Sequence, residues 1–123
     1  MAVTNVTSFG RSGLADWLVQ RISGVIITLY LVFIVGYLIA HPGLAYAEWV
    51  ELHRCFWVRL LSVMTILSFA AHAWIGMWAV LTDYVTVRLL GPKATALRIF
   101  LQFGVIAVII TYVGWAVDIL WGI

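Results

Sequence analysis

Charge is the scarcest thing in this chain. Seven basic and five acidic side chains make it 10% charged, while 65% of its residues are hydrophobic. Soluble globular chains are about 25% charged. Folded in water, this chain would lack the polar surface to cover itself. Its basic residues form no run and its net charge is only +2, which speaks against a nucleic-acid surface. The single cysteine, Cys55, cannot close an intrachain disulfide. It reads as a small, semi-buried apolar residue. Low-complexity tracts and charge blocks are missing, so disorder is not expected. Cysteine clusters, internal repeats and a Gly-rich dinucleotide fingerprint are missing too. The length suits one domain, residues 1–123.

What is present is apolar sequence in long pieces. Asp, Glu, Lys and Arg are absent from residues 22–47, 60–82 and 99–117. Each stretch supplies the roughly 20 residues a helix needs to cross about 30 Å of hydrocarbon. A helix satisfies its own backbone hydrogen bonds, which lipid cannot do. The predicted fold class is therefore an all-α integral membrane protein with three transmembrane helices. Pro42-Gly43 is a strong breaker, so the first span is expected to stop near His41, giving spans at about 22–41, 60–82 and 99–117. Ala45-Tyr46-Ala47 fits a signal-cleavage site by letter. The apolar stretch is longer than the roughly 7–15 residues of a signal core, and its lead is long, so a retained helix is expected.

Orientation follows from basic residues near the span ends. Arg11 and Arg21 precede the first span, and Arg88, Lys93 and Arg98 lie between the second and third. These five fall on one side of the membrane. Arg54 and Arg59 fall on the other. The imbalance predicts a cytoplasmic N-terminus, which leaves Asn5-Val6-Thr7 a glycosylation sequon by letter only. Trp17 before the first span, Tyr46, Trp49 and Trp57 in the outer loop, and Trp115 and Trp121 near the outer end of the third fit interfacial belts.

The second span carries the chemistry. His72 is the only histidine well inside a span, and an ionisable group at that depth is by default a functional candidate. Thr65, Ser68, His72, Gly76, Ala79 and Asp83 recur at three- and four-residue steps, which puts them on one helix face. Two readings fit. In one, the small residues admit another helix and His72 hydrogen-bonds across the interface. In the other, Ser68 and Gly76, one turn either side, let a flat macrocycle lie against the backbone while His72 ligates haem iron. A second axial histidine would then come from another chain, because His41 and His53 lie at or beyond the outer end.

Asp83 lies about 16 Å along the axis from His72, beside Tyr84 at the cytoplasmic end of the span. The pair reads either as interfacial residues or as a carboxylate and a hydroxyl donor at the mouth of a site for an amphipathic redox carrier. Should the helix end there, an Asp at its negative pole is mildly unfavourable and favours the second reading. Should it continue to Gly91-Pro92, that argument lapses. Arg21 either snorkels to the headgroups or pairs with an anionic group such as a haem propionate.

The run His72-Ala73-Trp74-Ile75-Gly76-Met77-Trp78-Ala79-Val80-Leu81-Thr82-Asp83-Tyr84-Val85 closely resembles the smaller hydrophobic membrane anchors of bacterial succinate dehydrogenase. The core of the likeness is a histidine, ten residues and Asp-Tyr. Gly10-Arg11-Ser12-Gly13, Arg21 and Trp121-Gly122-Ile123 look similar as well. At Ala79 a relative carries Gln, so packing or hydrogen bonding there differs. The resemblance implies one half of a heterodimeric haem-binding helix bundle. The other half is a second hydrophobic anchor subunit of the cytochrome b type, with haem b held between the two. An iron–sulfur subunit and a flavoprotein subunit would dock on the cytoplasmic side of the bacterial inner membrane. Electrons from succinate would pass to ubiquinone in the respiratory chain and the tricarboxylic acid cycle. By the same resemblance His72 would be an axial ligand, Tyr84 would hydrogen-bond a quinone carbonyl, Asp83 would support that site, and Arg21 would face a propionate. The chain would be one subunit of an enzyme and not an enzyme alone. A cofactor-free structural or assembly protein, and the anchor of a fumarate reductase, are the alternatives.

Overall fold

The computed structural model describes residues 13–123. Arg11, the Gly10–Ser12 part of the resemblance and the sequon lie outside the described residues. Three long helices carry the three apolar stretches: α1 (Gly13–Ala40), α3 (Phe56–Tyr84) and α5 (Ala94–Gly122). Two short helices, α2 (Tyr46–Arg54) and α4 (Val87–Leu90), lie in the connections. Each long helix is long and apolar enough to cross a membrane.

The helices outrun the charge-free windows. At 28 residues α1 extends about 42 Å, against about 30 Å of hydrocarbon. Its excess carries Asp16 and Arg21 towards the headgroup zone. Trp17, expected before the first span, therefore lies within α1. The breaker acts where it should. α1 stops at Ala40, and Gly43 takes φ +78°, a conformation that suits only glycine well. His41 closes the helix by donating from Nδ1 to the Tyr37 carbonyl at 2.9 Å. The connection that follows forms α2, whose start is held by Glu48 Oε2 accepting from the Ala45 N–H at 2.9 Å.

α3 is central. It packs against α1 on one flank and α5 on another, and α2 folds back onto it. The interior is inverted relative to a soluble protein. Ser23, His53 and Ser62 are buried, whereas Ile39 is 75% exposed and Phe100 74%. Lipid is the solvent that tolerates such a surface. Among the described residues, one cluster of buried apolar side chains joins Leu81 and Val85 at the end of α3 to Ala94 at the start of α5, with Leu101 packed against it.

Hydroxyls in this environment need partners inside the protein. Thr28, Thr65, Thr82 and Thr111 each donate to the carbonyl four residues back. Ser62 donates likewise to the Val58 carbonyl at 2.8 Å. Its Oγ is then an acceptor for the Tyr30 hydroxyl, 2.9 Å away on α1. Buried Ser62 thus joins α1 to α3 with a side chain small enough for close approach. Replacing it with Leu should overpack this seam and lower stability by about 1–3 kcal/mol. Ser62→Ala should cost less, about 1 kcal/mol for the lost hydrogen bond. Thermal unfolding in detergent checks the order; equal effects of the two substitutions would remove the steric argument.

Candidate functional site

Antiparallel pairing of α1 and α3 sets the depth at which their polar residues meet. Ser23 and Gln20 are one turn apart on α1, and both reach His72 on α3. Ser23 Oγ lies 3.1 Å from His72 Nδ1, and the Gln20 carbonyl oxygen lies 3.3 Å from the same atom. Ser23 also donates to the Gln20 carbonyl at 3.1 Å. Gly24 faces the imidazole edge, where an added Cβ would meet Cε1 at 3.6 Å. That is ordinary contact, so alanine fits at position 24 and a branched side chain would press on the ring.

Beside the imidazole lies a groove of about 570 Å³, lined by Trp17, Gln20, Arg21, Gly24 and Thr28 of α1 and by His72. Arg21 is exposed, with its guanidinium 5.6 Å from the centre of the Trp17 ring. Gln20 Oε1 is buried and has no hydrogen-bond partner. An orphaned amide oxygen of this kind carries a penalty of about 1–3 kcal/mol, and its carboxamide can be read in either orientation. Among the described residues, no group of three or more His, Cys, Asp or Glu could hold a metal ion.

The other candidates are distributed along α3. Gly76 meets α1, since a Cβ there would lie 3.5 Å from Gln20 Nε2. A carboxamide thus does reach this face of α3, from α1 rather than from position 79. Ser68 is half-buried and does not line the groove. Thr65 lines a separate, more apolar cavity of about 440 Å³ with Tyr30, His53, Ser62 and Tyr112, towards the opposite end of the bundle. His53 is buried there, 5% exposed, and donates from Nδ1 to the Trp49 carbonyl at 2.9 Å.

Asp83 and Tyr84 form the last turn of α3, which ends at Tyr84. The helix does not run on to Gly91-Pro92, so Asp83 sits at a negative helix pole, where a carboxylate is mildly unfavourable. Both side chains are exposed, Tyr84 at 67%. The next residue, Val85, is buried. Its carbonyl accepts two hydrogen bonds from Arg98 of α5, from Nε at 3.1 Å and Nη2 at 2.8 Å. The turn is anchored from behind while Asp83 and Tyr84 project outward.

Over residues 4–113 the chain matches the family described as succinate dehydrogenase/fumarate reductase transmembrane subunit. It is 34% identical over 111 residues, covering 90% of each chain, to the succinate dehydrogenase hydrophobic membrane anchor subunit of Coxiella burnetii (strain RSA 493 / Nine Mile phase I). The chain belongs to the succinate dehydrogenase/fumarate reductase transmembrane subunit family.

As a membrane anchor of that family, the chain contributes a multi-pass membrane domain to an oxidoreductase complex. The structure brings His72 and Arg21 of this anchor to one groove, and Asp83 and Tyr84 to the same end of the bundle as the start of α1. Sequence reasoning did not find Ser23, Gln20 or Arg98. Gln20 and Ser23 do leave a trace, as polar residues flanking Arg21 where α1 enters its apolar run. Arg98 left none beyond its charge, because its partner is a backbone carbonyl.

Arg98→Ala should free the Val85 carbonyl and loosen the last turn of α3. Amide hydrogen exchange at Leu81–Val85 should speed up by roughly ten- to a hundredfold, the equivalent of a charged hydrogen bond of about 1.5–3 kcal/mol. Exchange in the middle of α3 should stay as it was; acceleration along the whole helix would mean that Arg98 supports the fold at large instead.

Proposed function

We propose that this anchor is the smaller hydrophobic subunit of a succinate:quinone oxidoreductase. In this reading His72 is one axial ligand of a haem b shared with a second, cytochrome b-type anchor, and Tyr84 with Asp83 forms part of a ubiquinone site. The observation that carries the proposal is the setting of His72. Its Nδ1 is turned into α1, and the ring borders an open groove that also holds Arg21.

These residues suit a haem. Among the described residues, His72 Nε2 makes no hydrogen bond, and imidazole nitrogen is a common donor to haem iron. The groove lies along the α1 flank, where a macrocycle edge could rest on Gly24 and Thr28. Arg21 at its rim supplies a fixed cation for a propionate. The buried Gln20 carboxamide, whose Oε1 has no partner, belongs to the same lining. A bound haem would supply one-electron redox capacity within the membrane.

At the end of α3 the chemistry belongs to exposed groups. Reduction of a quinone to a quinol takes two electrons and two protons, so its site must open to water. The Tyr84 hydroxyl would donate a hydrogen bond to a quinone carbonyl and stabilise the negative charge that builds on that oxygen. Asp83, one residue away, would hold or pass on a proton. The five-to-two bias of basic residues supports a cytoplasmic position for this end. There the iron–sulfur and flavoprotein subunits could reach it from the face of the bacterial inner membrane.

A cofactor-free packing role for His72 rests on one specific observation, its hydrogen bonds across the α1–α3 seam. The two readings separate in a reduced-minus-oxidised spectrum of the complex that co-purifies with this chain, with succinate as reductant. A b-type α-band is expected in the wild type and should be lost or displaced in His72→Ala. A flat wild-type spectrum would leave only packing. Tyr84→Phe should lower quinone reduction by roughly ten- to a hundredfold, from the loss of about 1.5–3 kcal/mol. Succinate oxidation with a soluble artificial acceptor should persist, and parallel loss of both activities would point to failed assembly.

A further inference from the structure

The hydrogens around His72 can be assigned by elimination. The Gln20 carbonyl can only accept. Ser23 Oγ lies 3.1 Å from it and equally far from His72 Nδ1; a hydrogen turned to Nδ1 would leave two bare acceptors facing each other at 3.3 Å, so the Ser23 hydrogen is donated to the carbonyl. What Ser23 Oγ offers to His72 Nδ1, 3.1 Å away, is therefore a lone pair. The second neighbour of Nδ1 is the same Gln20 carbonyl at 3.3 Å, again an acceptor. Two acceptors converge on one ring nitrogen, so that nitrogen must carry the hydrogen. A neutral imidazole has only one, and Nε2 is left with its lone pair.

We infer that Ser23 and the Gln20 carbonyl are positioning groups that lock His72 as the Nδ1–H tautomer and aim its Nε2 lone pair at the haem iron. The inference rests on the proposed haem ligation and adds to it a means of tuning. Ser23 is suited to the task. It is 4% exposed, so water does not compete for its lone pair. The neighbouring Gly24 leaves room for the ring edge. The links Nδ1–H to Ser23 Oγ, and Ser23 O–H to the Gln20 carbonyl, run in one direction and polarise each other. A histidine that donates its second N–H in this way is a more basic ligand and is fixed in orientation. A more basic ligand favours the oxidised iron and lowers its potential.

The test uses the whole complex, purified from cells carrying Ser23→Ala, Ser23→Thr or His72→Ala. The first readout is the haem midpoint potential by redox titration. The second is the coupling of the remote ligand nitrogen, Nδ1, by pulsed electron paramagnetic resonance on the oxidised haem. Ser23→Ala removes the closer acceptor and should shift the potential upward and alter the remote-nitrogen coupling. Loss of haem from an assembled Ser23→Ala complex would be the stronger form of the same result. Ser23→Thr keeps a hydroxyl that can bond back along the helix and should restore wild-type values. An unchanged or lowered potential in Ser23→Ala, or a threonine variant that behaves like alanine, overturns the inference. Wild-type haem signals in His72→Ala would instead overturn the ligation on which it rests, so the two failures are distinguishable.

Discussion

Inside hydrocarbon a hydroxyl or an imidazole has no water to turn to, and everything specific about this fold follows from where such groups find partners. An unsatisfied polar group there costs several kcal/mol, while apolar side chains gain almost nothing by preferring one another to lipid. The α1–α3 seam is pinned at two places, Ser23 to His72 and Tyr30 to Ser62. These pins lie ten residues apart on α3, or about 15 Å along its axis. Two pins on one pair of helices determine both register and rotation. The direction in which His72 faces is thus a consequence of satisfying polar groups and owes little to apolar packing.

The seam explains why so little of the chain is buried. Beyond the Leu81–Val85–Ala94 cluster, the long helices turn most of their large apolar residues outward. A single layer of three helices has no inside to speak of. Its surface meets either lipid or another membrane subunit, and an open groove runs along α1 at His72. In the proposed function this is the form expected of one half of a larger bundle: a satisfied internal seam, a groove beside His72, and apolar flanks.

The three spans were legible because the absence of charge over some twenty residues is a coarse and robust signal. His72 stood out for the complementary reason, as the exception within such a stretch. Helix ends were less legible. Absence of charge marks hydrocarbon, not helix, and helices that reach the headgroup zone keep charged residues such as Arg21 and Arg59 on them. The short α2 was missed because a nine-residue polar helix resembles a loop in composition. Periodicity put Thr65 and His72 on one face, yet they border different cavities, because a face says nothing about which neighbour covers it at each depth. Ser23 and Arg98 act through contacts between helices, and such contacts depend on a register that a single sequence does not print.

In the proposed function both redox stations of this chain lie on α3, with His72 at mid-helix and Tyr84 at its last residue. Their separation is then set by helical rise, twelve residues or about 18 Å. It does not depend on how the partner subunits dock. Each end of that interval is held from a different side, His72 by α1 through Ser23 and Gln20, and the last turn by α5 through Arg98. The division matches the packing, in which α3 sits between the other two long helices while α1 and α5 have almost no direct contact. Each station is thus tied to a different flanking helix.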